Sequence, residues 1–229
     1  MLFKPLLGTS LSGSVGGITA SHNRGGTYFR NRAIPTNPNT PQQATVRGLM
    51  AQLANLWNDT LTSAQRTAWD EYAAAVLLPG PNGDPRNVGG LGQYVRSNLP
   101  RLQASLPRVD LGPSILNLGD YTIPTIASVT AATDLLSLNF TEADDWVGED
   151  DAAMLVYTSR GQNATINFFK GPYRFAATIL GDSSTPPTTP ASVALAFGVA
   201  VGQKTFIRVT VTRADGRLAT QFRDVIVAV

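Results

Sequence analysis

Cysteine is absent from this 229-residue chain, and histidine occurs once, at His22. Without cysteine there are no disulfides and no thiolate chemistry. With a single histidine as well, a transition-metal site of the His or Cys type is excluded. A Ser-His-Asp triad would have to use His22, but no G-x-S-x-G elbow accompanies it. His22 therefore reads as a surface or contact residue in a polar stretch rather than a general base. No apolar run approaches the roughly 20 residues of a membrane span. The opening MLFKPLLGTSLSGSVGG is interrupted by Lys4 and Pro5 and makes a poor signal peptide. These features predict a soluble protein made in the cytoplasm and not exported by the usual route.

Charge is also scarce, at 15% of residues, and unevenly placed. Up to Asn58 there is no acid, while Lys4, Arg24, Arg30, Arg32 and Arg47 give that stretch +5. From Pro124 onward eight bases and ten acids give −2. The two ends thus favour different electrostatic surroundings.

What is present divides the chain into three parts. Residues 1–39 are polar and Gly-rich, and Gly13, Gly16, Gly17, Gly25 and Gly26 deny them helix and weaken them as ordinary strand. Within them TYFRNRAI is strand-like, with Tyr28, Arg30 and Arg32 on one side and Phe29 on the other. PTNPNTP enforces an extended path onward. The reading is an extended arm that gains order against another surface, including by strand addition to a sheet edge.

Residues 40–123 read as a small helical unit and linker. Thr40 caps a helix with Pro41 in its first position. Val46, Leu49, Met50, Leu53 and Trp57 follow at helical spacing. Thr62 to Gln65 (TSAQ) is a capping box for a second helix, whose apolar face is Trp69, Tyr72, Ala73 and Val76. The short link predicts an αα-hairpin with a core of Leu49, Leu53, Trp57, Trp69 and Tyr72. LLPGPNGDPRNVGG breaks the pattern, and a shorter helix near Leu91 to Asn98 precedes Pro100.

Residues 124–229 alternate with period two, in about seven strands. Asp215-Gly216 signals a hairpin between the last two. The predicted fold class is α+β: the extended N-terminal arm, the αα-hairpin unit, and a C-terminal all-β immunoglobulin-like or fibronectin type III-like sandwich. Trp146 has two readings, a core aromatic and a loop residue, and its acidic flanks favour the loop. That loop, EADDWVGEDDA, gathers Glu142, Asp144, Asp145, Glu149, Asp150 and Asp151. Three readings stand for it: a solvated turn, a weak calcium site without EF-hand spacing, and a face for basic arms of neighbouring subunits.

Pro38, Thr40, Gln43, Arg47, Trp57, Leu61, Thr62, Gln65, Arg66 and Trp69 form a pattern, P-x-T-x-x-Q-x-x-x-R followed by Trp, LTxxQR and Trp. With the Gly-rich start, it resembles a family of structural proteins from bacterial viruses and prophage regions, over about residues 8–100. KTFIRVTVTRADGRLATQFRDVIV is similar to the closing strands of fibronectin type III-like modules, which recur on virus particles. The resemblance implies a virion component and brings no catalytic residues with it.

GSVGG and GGLGQ lack the Gly-Lys-Ser/Thr of a P-loop, and no strand precedes the second, so their glycines read as turns. No cofactor and no small-molecule substrate are expected. Arg24, Tyr28, Phe29, Arg30 and Arg32 are candidate assembly contacts, protein contact being favoured over nucleic acid. The expected function is a non-enzymatic, multicopy capsid decoration or minor capsid protein that contacts copies of itself and other virion proteins, with no membrane contact. A tail or neck component, or a subunit of an extracellular or cell-surface filament joined by donated strands, are the alternatives.

Overall fold

The computed structural model describes residues 2–3, 12–23, 26–80 and 83–229. The chain separates into two compact units, residues 1–44 and residues 45–229.

The first unit is a sheet, where the sequence predicted an extended arm with one strand. Strands β1 (Leu2–Phe3), β2 (Gly13–Val15), β3 (Ile18–Asn23) and β4 (Gly26–Asn31) pair antiparallel in the order β1-β4-β3-β2. The glycines explain the difference. Gly16 and Gly17 form the two-residue loop between β2 and β3, and Gly16 has φ +57°, the conformation a tight hairpin requires at its first central position. Glycine at that site marks a turn between strands rather than the absence of strands. Residues 32–40 follow without regular structure, as the proline spacing predicted.

The first helix begins at the end of the first unit, and most of it lies in the second. Helix α1 (Pro41–Asp59) starts at Thr40, whose amide donates to the Gln43 side chain at 3.1 Å and whose hydroxyl accepts from the Gln43 amide at 3.4 Å. Helix α2 (Ser63–Ala75) carries the predicted capping box, Thr62 with Gln65. A short β5 (Leu78–Pro79) and β6 (Pro85–Arg86) pair lies before helix α3 (Gly90–Gln103).

The helix pairing differs from the predicted αα-hairpin. Helix α2 packs chiefly on α3, not on α1. The cluster is Leu53, Leu61, Trp69, Tyr72, Val76 and Tyr94, with Trp57 packed against it. Each Trp ring lies 5.6 Å from the Tyr94 ring. Leu53, Trp69 and Tyr72 are core as expected, whereas Leu49 is half-buried and lies outside the cluster. Helix α3 also runs past Pro100. Its buried stripe is Gln93, Tyr94, Ser97, Asn98 and Arg101, mostly polar, and so invisible to a search for apolar periodicity.

Seven antiparallel strands follow, close to the predicted places: β7 (Thr125–Thr130), β8 (Leu135–Asn139), β9 (Ala153–Thr158), β10 (Arg174–Leu180), β11 (Ala191–Ala194), β12 (Lys204–Thr212) and β13 (Phe222–Val227). They form two sheets, β11-β8-β7 and β10-β9-β12-β13. Both supply one apolar cluster, with Val129, Leu136, Leu138 and Val193 from the first and Met154, Val156, Ile179, Ile207, Val209 and Val211 from the second. The fold is α+β and sheet-rich. The predicted turn is present, closed by the Arg213 amide donating to the Arg217 carbonyl at 2.9 Å, with Gly216 at φ +90°.

Trp146 is fully buried in that cluster although it sits in the β8–β9 connection. Loop position and burial are compatible because Phe140, 5.3 Å away between ring centroids, packs on it. Strand β9 is buried on both faces. Its second face, Ala153, Leu155 and Tyr157, meets Leu106 and Leu218 in a further cluster. The segment after α3 thus covers part of the outer face of the four-stranded sheet, and the helices and strands that the sequence separated at residue 123 belong to one unit.

Candidate functional site

In the N-terminal sheet, strand alternation sorts the side chains by face. The register aligns Val15 with Ile18 and Ala20 with Phe29, so these four share one face. Val15 is 86% exposed and Ile18 53%. Ser14, Thr19, Ser21, Tyr28 and Arg30 share the opposite face. Tyr28 is half-buried, while Phe29, Arg30 and Arg32 are exposed. Arg24 lies outside the described residues. Among the described residues β1 and β2 each pair on one side only, and no salt bridge includes Arg30 or Arg32. The structure therefore brings Tyr28 and Arg30 together on a polar face and puts Phe29 on the apolar one.

The helical cluster serves as a scaffold. The Trp69 indole donates to the Asp110 carbonyl at 2.9 Å and the Tyr72 hydroxyl to the Asn117 carbonyl at 2.8 Å. Burial pushes the phenols of Tyr72 and Tyr94 up from 10.0 to about 12. A raised phenol favours the native state while it is protonated, and that contribution is complete below pH 10. It falls as pH climbs from 10.0 toward about 12, because unfolding releases the proton. The tyrosinate absorbance of the folded protein is accordingly expected to lag behind that of the urea-unfolded chain over this interval. In Tyr72→Phe the lag shrinks, and an unchanged lag contradicts the assignment.

Five of the six acids of residues 142–151 hold partners in neighbouring segments. Asp144 accepts from the Thr122 amide at 2.9 Å and hydroxyl at 2.7 Å, Asp150 from the Ser183 amide at 2.8 Å, and Glu142 from the Thr189 amide at 2.8 Å. Glu149 pairs with the Arg213 guanidinium, which also reaches Asp145 at 3.5 Å. Among the described residues no group of three or more His, Cys, Asp or Glu side chains is placed to hold a metal ion. Carboxylates that each brace a different loop do not converge on one point, as calcium ligation requires.

Two shallow clefts lie in the second unit. One, of about 220 Å³, is lined by Tyr121, Ile123 and Phe222 beside Asp120. The other, of about 260 Å³, is lined by Arg160, Gln162, Phe169, Pro172, Arg174 and Phe197. One carboxylate, that of Asp120, lines the first, and two guanidinium groups, of Arg160 and Arg174, line the second.

The sequence reading missed an arginine–tyrosine surface on the outer face of the four-stranded sheet. The guanidinium of Arg208 lies 4.2 Å from the Tyr157 ring centroid and 5.3 Å from that of Tyr173. Burial pushes the Arg208 guanidinium down from its ordinary range, and neighbouring Arg223 pushes it the same way. The signal lay in the alternation Lys204, Phe206, Arg208, which a regional charge of −2 conceals. Between Ala152 and Thr212 the chain has five bases and a single acid, Asp182.

No protein-family model matches the chain, and no curated protein matches it. One solved structure, of a family 76 glycoside hydrolase from a bovine Bacteroides thetaiotaomicron strain, aligns with 48% of this chain at 9% identity and a TM-score of 0.33. The chain spans 20% of that enzyme's length. A likeness of this size carries neither a fold nor an activity. Among the described residues no helix is long and apolar enough to cross a membrane.

Proposed function

We propose that this chain is a non-enzymatic structural protein of a bacteriophage-like particle, present in many copies as a capsid decoration or minor capsid component. The observation that carries the reading is the N-terminal sheet. It is a unit of its own with Val15 and Ile18 exposed on one face and, among the described residues, with Arg30 and Arg32 in no salt bridge. Small apolar faces contribute little singly, but repetition around a symmetric shell sums them. The sequence pattern from Pro38 to Trp69, which resembles virion proteins, points the same way.

The larger unit would present rather than anchor. Its three-plus-four strand order, β11-β8-β7 with β10-β9-β12-β13, supports a fibronectin type III-like sandwich. A second reading, a filament subunit joined by donated strands, draws on the one-sided pairing of β2.

The test is incorporation. A chain lacking residues 1–39 is expected to remain soluble and folded, because residues 45–229 form their own compact unit. It is expected to be missing from particles that contain the full chain, as read by mass spectrometry of purified particles. Incorporation of the truncated chain at the full-length level would falsify the anchoring role. Recovery of the full chain from filaments rather than particles would favour the second reading.

A further inference from the structure

Strands β12 and β13 place Arg208 directly opposite Arg223. Like charges facing each other across a strand pair destabilise a sheet. Both guanidinium groups also lie over one ring, that of Tyr173, at 5.3 and 5.9 Å from its centroid. Among the described residues no salt bridge includes either of them. Among the described residues the salt bridges of the second unit use Arg108, Arg213 and Arg217 instead. Asp224 follows Arg223 but alternates to the other face of β13, where its carboxylate accepts from the Val225 amide at 2.8 Å. Lys204, on the same face of β12, adds positive charge and is held by the Ile166 carbonyl and the Asn167 side chain. The Nε of Arg208 is buried and has no hydrogen-bond partner, whereas Arg223 is exposed and opens the site to solvent.

We propose that Arg208 and Arg223 form a clamp for a tetrahedral oxyanion, a phosphate or sulfate group, on the outer face of the sheet beside Tyr173. An arginine stacked on an aromatic ring keeps its N–H edge free, and that edge is the donor fork that oxyanions accept from. Two cations are matched by a dianion, while a carboxylate leaves one charge over. The rings are already covered by guanidinium groups, which removes the free stacking face that a nucleobase would use. The site stands independently of any role in a particle.

The experiment is thermal unfolding at matched ionic strength in chloride, acetate, inorganic phosphate and glycerol phosphate, for the parent, Arg223→Gln and Arg160→Gln. Phosphate also stabilises proteins generally by exclusion from their surfaces, so the comparison of variants decides. In chloride, Arg223→Gln is expected to melt above the parent, because a like-charge pair has been relieved. The parent is expected to gain stability saturably with phosphate but not with acetate. Arg223→Gln needs about tenfold more phosphate for the same gain, the loss of one charge-assisted contact. Arg160→Gln, which alters a guanidinium stacked on Phe197 instead, responds like the parent. A tighter response to glycerol phosphate than to inorganic phosphate supports a phosphomonoester borne by a larger molecule, and the reverse supports the free ion. Equal effects of acetate and phosphate, or an Arg223→Gln protein that responds as the parent does, overturn the clamp. So does a lower melting point for that variant in chloride.

Discussion

Arg101→Ala is expected to lower the stability of the chain by roughly 4 kcal/mol, through the space left by a fully buried side chain and the loss of its three charge-assisted hydrogen bonds. Arg101 is fully buried near the end of α3. Its Nε donates to the Pro107 carbonyl at 2.8 Å, and its Nη1 donates to the Arg213 carbonyl at 2.7 Å and the Thr212 hydroxyl at 3.2 Å. Helix, following loop and the end of β12 are therefore tied by one side chain. Burial pushes this guanidinium down from its ordinary range, with the carboxylates of Asp151, Asp215 and Glu149 opposing that effect. Truncation removes the cation and its three hydrogen bonds together, and the stem that filled the space goes too. In urea titrations the midpoint falls with little change in slope, the mark of a stability change without a change in surface exposed. Arg101→Met restores the packing but not the donors, so it recovers only part of the loss. A midpoint within about 1 kcal/mol of the parent for Arg101→Ala removes the anchor from the account.

Trp69→Ala carries the second large effect, about 3–5 kcal/mol, the usual range for removing a buried aromatic. The ring is fully buried, stands edge-on to Tyr72 at 6.0 Å and to Tyr94 at 5.6 Å, and donates to the Asp110 carbonyl. Its surroundings cannot easily collapse into the vacancy. A Cβ on Gly112 would lie 2.6 Å from the Ala68 carbonyl carbon and 2.7 Å from the Trp69 nitrogen, so backbone already meets backbone there. On another side a Cβ on Gly216, in the β12–β13 turn, would lie 3.3 Å from the Trp69 ring. Trp69→Phe keeps most of the apolar volume and loses the indole donor, for a cost of roughly 1–2 kcal/mol. Leu49→Ala, outside the cluster, is expected to cost less than about 1 kcal/mol. Equal losses for Leu49→Ala and Trp69→Ala would contradict the placement of the core.

Local signals were legible where the residue itself performs the local act. The Thr40 and Thr62 caps, the Asp215-Gly216 turn and the alternating strands all depend on neighbours within a few positions. Leu53, Trp69 and Tyr72 were legible as core because large apolar side chains have few other fates. Helix pairing was not, because α3 buries Gln93, Ser97, Asn98 and Arg101. Such residues count as surface until their partners are known, here the carbonyls of Val76, Val109 and Arg213 among others. The glycines of the first unit were misread for a related reason. A Gly pair is consistent with a flexible arm and with a hairpin, and only the strands on either side distinguish them.

Of the candidate contacts, the alternation of Tyr28, Phe29 and Arg30 on β4 was readable, but the companions on each face were not. Ser14, Thr19 and Ser21 join Tyr28 and Arg30 through register, which pairing alone sets. The arginine clamp was beyond reach in the same way, since Arg208 and Arg223 are separated by a hairpin and meet only once β12 and β13 are aligned.

By itself the sequence determined the absence of thiol and of multi-histidine metal chemistry, the helix starts, the strand-rich second half and the basic, acid-free beginning. Composition and spacing of a few residues suffice for each of these. The tertiary structure alone decided that the helices belong with the strands in one unit, that α2 pairs with α3, and that Glu142, Asp144 and Asp150 brace loops while, among the described residues, Arg208 and Arg223 face each other outside any salt bridge. These are long-range matters: the free energy of a buried polar group or a charge depends on what the fold sets beside it, and that is written in no local stretch of the chain.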